Sequence, residues 1–273
     1  MITLDFWTRQ SAEETLARCL STKVTLILYP LDHSDGNFSR FQNDVDKLIG
    51  MGLAKPATGP IFLKCKHLTA SMDKCQGIRE NGLIPLRKLL ETNSDLRHFL
   101  LDEGITVDFD SMTLNYSNRN QVISFSKEDL TISDSADIKM LSRRFSNDDG
   151  ITAFLTEESI SSYYADLAYA PELLSTIEKA LYFPDGELTN SWRNKTSPFL
   201  ISICAPLNEY DNETFQEGLL GSSANNASRN LIDPIEAAFN FIFQQRANQY
   251  AYFQSNSVIE AKRIDRIEPF HQE

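Results

Sequence analysis

The sequence predicts an α+β fold. Strand-like and helix-like segments are mixed along the chain without a regular β-α-β alternation. Several helical stretches carry their own start and stop residues. Several short runs alternate apolar and polar residues between turn formers. The 273 residues, 41% of them apolar with 17 Phe and 9 Tyr, suffice for a sizeable core in one large domain or two small ones, without disulfides.

Residues 1–60 read as an N-terminal strand/helix extension. In it Val24-Thr25-Leu26-Ile27-Leu28-Tyr29 has the composition of a strand ended by Pro30, and 38–53 reads as a helix with Phe41, Val45, Leu48 and Ile49 along one side. The breaker-rich stretch 55–60 connects the extension to a main domain, 61–273. That domain opens with a strand at 61–66. Ser71 or Asp73 caps a short helix that stops at Asn81-Gly82, Pro85 suits the first turn of the next, and Ser94 caps a third that ends at Gly104. Ile105, Val107 and Phe109 alternate with polar residues, as do Leu114 and Tyr116 beyond Asp110-Ser111, which predicts a hairpin. Residues 117–149 are polar and predict an irregular stretch with one short helix, so that about 105–149 forms an insertion. A strand follows at 151–155, then a helix beginning at 159–164, a second at 171–181 and a buried strand at 199–203. The Asn-, Gly- and Ser-rich stretch 208–230 reads as a long loop, of the kind that often carries function. Asp233 and Pro234 start a helix with an apolar stripe of Ile235, Ala238, Phe239, Ile242 and Phe243. Strands at 249–254 and about 263–267 complete the domain.

Charge and cysteine content narrow the function classes. A net charge of −12 disfavours broad electrostatic capture of nucleic acid. The distribution is uneven: residues 61–98 hold seven Lys/Arg against four acids, which makes this the segment best suited to a phosphate-bearing ligand. Cys19, Cys65, Cys75 and Cys204 form no CxxC pair, and the four histidines have no ligand-like spacing with Cys or acids. Reduced thiols and no metal site are expected. The first residues lack a basic region followed by an apolar stretch, and no apolar run approaches the ~18 residues that would span a membrane. A cytoplasmic protein with no membrane partner is expected.

Three short polar motifs carry the candidate chemistry. His67 and Thr69, at the end of the 61–66 strand, lie two apart and so share a strand face. A histidine donor and a hydroxyl side by side can hold a ribose hydroxyl and an amide, although a structural histidine also occupies such places. Ser161 and Tyr164, after the strand at 151–155, are three apart on a helix start, where a Tyr ring can stack on a flat heteroaromatic. Asn248-Gln249-Tyr250 opens a late strand. Chemistry at a ribosyl C1′ passes through an oxocarbenium-like state that a nearby carboxylate stabilises. Gln249 can bond a sugar hydroxyl but supplies no negative charge.

In this order the three segments resemble the ADP-ribosyltransferase superfamily in its His-Tyr-Glu branch. His67-Leu68-Thr69 is similar to the family's His-x-Thr/Ser strand, Ser161 and Tyr164 to its Ser-x-x-Tyr element, and Asn248-Gln249-Tyr250 to its Asn-Glu-Tyr strand. The resemblance covers roughly 61–267 and implies an ADP-ribosyltransferase-like split β-sandwich with flanking helices and the N-terminal extension. It implies NAD as co-substrate. His67 would bind the adenosine ribose, Thr69 the nicotinamide amide and Tyr164 the nicotinamide ring, while position 249 would act at the nicotinamide ribose. It further implies transfer to an acceptor macromolecule, RNA, DNA or protein. A toxin or antiphage effector with an antitoxin protein as partner fits the same family. The departure is Gln249 in place of the catalytic Glu. A variant that lacks the carboxylate, or a Glu→Gln replacement that keeps an otherwise retained site from poisoning its host, would account for it. A non-catalytic module of the same fold that senses NAD or a related nucleotide, or serves in interaction, is the alternative function.

Overall fold

The computed structural model describes all residues except 127–134, 148, 149, 159, 161–163, 212, 213, 215–233, 245–249, 272 and 273. In chain order its elements are β1 (Ile2–Leu4), α1 (Arg9–Cys19), α2 (Val24–Ser34), α3 (Phe38–Gly50), β2 (Ile61–Ser71), α4 (Gln76–Asn81), α5 (Leu86–Glu91), α6 (Asp95–Asp102), β3 (Ile105–Asp108), β4 (Thr113–Tyr116), β5 (Gln121–Ser124), α7 (Ala136–Asn147), β6 (Thr152–Phe154), α8 (Glu172–Ala180), α9 (Glu187–Lys195), β7 (Ser197–Pro206), α10 (Pro234–Gln244), β8 (Tyr250–Tyr252) and β9 (Ile264–Pro269). The class is α+β. One sheet has the order β8-β6-β2-β7-β9 with β1 beside β2, and a second is the meander β3-β4-β5.

Contacts divide the chain into two compact units, each made of three segments. Unit 1 comprises Met1–His67, Thr152–Tyr163 and Ser202–Gln254; unit 2 comprises Leu68–Ile151, Tyr164–Ile201 and Ser255–Glu273. The division does not fall at residue 60. Residues 1–60 share unit 1 with two later parts of the chain, and β2 and β7 each run on from one unit into the other.

In unit 1, β1 pairs parallel with β2, Ile2 opposite Ile61 and Leu4 opposite Leu63. β6 pairs antiparallel with β2 and with β8. Thr8 caps α1 in a reciprocal box: Ser11 N–H donates to Thr8 Oγ1 at 3.1 Å and Thr8 N–H to Ser11 Oγ at 2.8 Å. This helix is absent from the sequence reading. The strand expected at 24–29 is a helix instead, α2, with Pro30 inside it. The reason is the period of burial. Ile27, Pro30, Leu31 and Ser34 are buried while Leu28 and Tyr29 are exposed, a spacing of three and four that only a helix provides. Packing on α1 and α3 outweighs the β-branched composition and the hydrogen bond that Pro30 cannot donate. Asn37 caps α3 by accepting from Arg40 N–H. The apolar stripe on α10 packs on α1 and α3: the Phe239 ring lies 4.9 Å from Phe41, 5.3 Å from Phe38 and 4.7 Å from Phe243, and Phe241 stacks on Phe6 at 5.3 Å. Beneath the sheet, Tyr210 Oη donates to Leu63 O at 2.8 Å and lies 3.5 Å from Cys65 Sγ. Burial pushes the Cys65 thiol up to about 12.

In unit 2 most local signals act as read. The Asp73 carboxylate accepts from Gln76 and Gly77 N–H ahead of α4. Gly82 ends that helix at φ +80°, where a Cβ would stand 1.9 Å from Ile259 O. Ser94 caps α6, and β3 pairs with β4 in the expected hairpin, Ile105 opposite Tyr116. The stretch 117–149 is more regular than expected. It forms a third strand, β5, after a turn that places Asn120 in the left-handed region, and the 12-residue helix α7. α9 also lies outside the sequence reading, because only Leu188 and Trp192 of its nine residues are buried and the apolar stripe is too sparse to read. One core joins these elements: Trp192 meets the edge of Phe99 at 5.1 Å, and Phe125 and Phe109 pack on Phe145.

Candidate functional site

Within unit 1 Lys66, which precedes His67, and Tyr250 lie on one row of the sheet. β6 is the middle strand. Its Phe154 is opposite Lys66 of β2 on one side and opposite Tyr250 of β8 on the other. Lys66 precedes His67, and Tyr250 is the last residue of the Asn248-Gln249-Tyr250 motif. Segments some 180 residues apart in sequence thus flank the same strand. The Phe154 and Tyr250 rings are 5.8 Å apart along this row.

His67 is fixed by the same strand. Its Nδ1 lies 2.8 Å from Thr152 O, so Nδ1 carries the hydrogen and donates to the carbonyl, and in the neutral ring Nε2 is left as an acceptor. Burial holds the His67 pKa below its ordinary value; the bond to the Thr152 carbonyl opposes that fall without cancelling it. The ring is therefore neutral near pH 7 and presents a lone pair. The sequence reading offered a histidine donor; the tautomer makes it an acceptor.

The other residues of the reading are placed as follows. Thr69 is half-buried on β2 and belongs to unit 2. Burial along β2 passes from Leu63 and Cys65 to Leu68 and Ser71, so the strict alternation that put His67 and Thr69 on one face is not kept through His67. Tyr164 also belongs to unit 2. It stands at the start of a 3-10 turn, Ala165–Ala168, rather than within an α-helix, and its carbonyl accepts from Leu167 N–H at 2.9 Å. Ser161 and Gln249 lie outside the described residues.

The cations expected to favour a phosphate are largely engaged. Lys66 Nζ lies 4.0 Å from the centre of the Trp7 ring, Lys64 pairs with Asp5 at 3.5 Å, and Arg87 pairs with Glu91. Trp7 is the residue that sequence reasoning missed. Glu157 N–H donates to its carbonyl at 3.1 Å, which ties the segment before α1 to the end of β6. A cleft of about 150 Å3 opens there, lined by Trp7, Thr8, Arg9, Thr156, Glu157 and Phe241 among others. Its sequence signal was slight, one of only two tryptophans beside a helix cap.

No protein-family model, no curated protein and no solved structure matches this chain. Among the described residues no helix is long and apolar enough to cross a membrane, and no group of three or more His, Cys, Asp and Glu side chains is arranged to hold a metal ion.

Proposed function

We propose that the chain is an NAD-dependent mono-ADP-ribosyltransferase with an ADP-ribosyltransferase-like fold, of the toxin or antiphage-effector kind, acting on a nucleic-acid base or a protein. The observation that supports this reading is the row Lys66–Phe154–Tyr250, whose outer residues are the neighbour of His67 on one strand and the last residue of the Asn248-Gln249-Tyr250 motif on another. The state of His67 supports it. A neutral imidazole whose Nδ1–H is held by Thr152 O offers Nε2 to a ribose hydroxyl, and that hydroxyl can donate to it. In the reaction, the bond between nicotinamide and ribose C1′ breaks with its electron pair leaving on nicotinamide, and the acceptor's nucleophilic atom attacks C1′ and loses its proton. Position 249 is where the family's carboxylate would stabilise the positive charge at C1′; a glutamine there can bond a sugar hydroxyl but supplies no negative charge. Thr69 is the residue for the nicotinamide amide, with Ser161 and Tyr164 on the ring side. An antitoxin would be the partner that restrains an active form.

The second reading, a module that binds NAD or a related nucleotide without chemistry, is favoured by one residue, Gln249 itself. Labelled NAD incubated with cell lysate and either the chain as it stands or its Gln249→Glu variant separates the two. Transfer of label by the variant alone supports a transferase lacking its carboxylate, and the labelled fraction (protein, DNA or RNA) gives the acceptor class. Binding of NAD without turnover by both, lost in His67→Ala, supports the sensing module. No turnover together with binding unaffected by His67→Ala rules out both.

A further inference from the structure

Unit 2 contains a strand edge that borders a cleft. In the meander β3-β4-β5, β3 lies at one side of the sheet, and among the described residues only β4 pairs with it. The phase of the ladder follows from Ser117 N–H donating to Gly104 O at 2.9 Å. With Ile105 opposite Tyr116, Thr106 and Asp108 exchange hydrogen bonds with β4, and Ile105 and Val107 direct their N–H and C=O groups away from it; Ile105 is fully buried, so Val107 is the accessible one of the two. A cleft of about 320 Å3 runs beside this edge. Leu90, Leu100 and Leu101 form its apolar wall, and Leu101 is 44% exposed.

The charge at the far end of the edge is specific. Asp108 and Asp110 line the cleft. The Ser111 hydroxyl and the Ser111 and Asp110 amides bond the Asp108 carboxylate and hold its pKa below the usual range, so it is ionised at neutral pH. Neither carboxylate pairs with a cation among the described residues. The cations nearby have other partners: Arg97, also on the wall, donates Nη1 to Glu91 O at 2.8 Å, and Arg87 pairs with the Glu91 carboxylate at 3.2 Å.

We propose that this cleft binds an extended peptide segment of a partner protein, which adds to β3 as a fourth strand. Its main chain bonds Val107, an apolar side chain packs on Leu101 at the open end of the wall, and a Lys or Arg meets Asp108 and Asp110. Main-chain bonds supply affinity in such strand addition and the alternate side chains supply selectivity. The proposal is independent of the transferase reading, since every residue in it lies in unit 2 and outside the motifs of that reading.

The test begins with the full chain and a phage-displayed library of random nine-residue peptides. Enriched sequences should carry apolar residues at alternate positions and a basic residue near one end. A synthetic peptide of that sequence, followed by fluorescence anisotropy, should lose about tenfold or more in affinity when its alternate amides are N-methylated, the loss of one or two net hydrogen bonds. Val107→Pro removes an outward N–H while sparing the bonds to β4 and should weaken binding similarly with an unchanged circular dichroism spectrum. Asp110→Lys, at an exposed turn, should weaken it for basic peptides alone. No enrichment, enrichment of acidic sequences, or parent-like binding by both variants overturns the proposal. So does a concentration-dependent dimer, seen by sedimentation without peptide and abolished by Val107→Pro, because the occupant is then a second copy of the chain.

Discussion

The two units bury their cores by different means. In unit 1 helices from opposite ends of the chain interlock through aromatic rings, with Phe239 and Phe241 of α10 set among Phe6, Phe38 and Phe41. In unit 2 most contacts join neighbours in sequence: α4 to α6, the meander β3-β4-β5 and the α8–α9 pair follow one another along the chain, and leucines line the core around Phe99 and Trp192. The contrast teaches where local sequence rules suffice. Caps, turns and alternation specify elements that pack on their neighbours in sequence; the packing of α10 on α1 and α3, between distant segments, depends on burial that no short window reveals.

Each unit holds one of the two tryptophans, Trp7 in unit 1 and Trp192 in unit 2, so the comparison can be tested by fluorescence. Trp192→Phe leaves Trp7 as the sole reporter and removes a buried indole N–H that has no hydrogen-bond partner among the described residues; Trp7→Phe leaves Trp192. The largest effects should come from the cores. Phe239→Ala should cost about 3–5 kcal/mol, read as an earlier denaturant midpoint by the Trp7 reporter, and Phe125→Ala a similar amount by the Trp192 reporter. If each substitution moves only its own reporter, the units unfold separately; if both reporters move together, they form one cooperative system. Gly82→Ala comes next. It forces a Cβ against Ile259 O at a positive φ and should cost about 1–3 kcal/mol, seen first by Trp192. Thr8→Ala removes one half of the cap on α1 and should cost about 1 kcal/mol, seen by Trp7.

The smallest expected effect is a pH dependence confined to unit 1. The folded pKa of His67 lies below its ordinary value of 6.5, so the unfolded chain binds the proton more readily. Its contribution is unchanged above pH 6.5 and becomes destabilising as pH falls from there to the folded value. His67→Asn should flatten that part of the profile of thermal midpoint against pH. A variant that keeps the full slope would show that another group titrates.

The legibility of the sequence follows how local each signal is, in both units. The helix at Phe38, the cap at Ser94, the stop at Gly82 and the hairpin from Ile105 were readable because each is set by residues within a few positions of one another; α4 has Cys75, not Asp73, at its N-cap. α2 was not, because its β-branched run and Pro30 point locally to a strand, while its partners α1 and α3 impose the helical period. β5 was missed because Ile123 is its only buried residue and a four-residue strand with one buried side chain has no visible alternation. At the candidate site, the sequence named His67, which bonds a carbonyl of β6, and Gln249, which lies outside the described residues. It did not give the direction of the His67 hydrogen bond, which depends on a carbonyl 85 positions away. Nor did it reveal Trp7 beneath Lys66, since a cation over a ring leaves no spacing rule in a sequence.

The buried Tyr210–Cys65 contact has a consequence for how the molecule's opening can be timed. A thiolate, not a thiol, attacks alkylating reagents. With its pKa near 12, Cys65 is unreactive at neutral pH for as long as Tyr210 and the sheet enclose it. Cys75, buried in unit 2, is pushed up to about 11 and is similarly silent. The first belongs to one unit and the second to the other, so each alkylation event marks a moment when its own surroundings came apart. Mass spectrometry of the two peptides after timed exposure to iodoacetamide would provide a separate clock for each half of the chain.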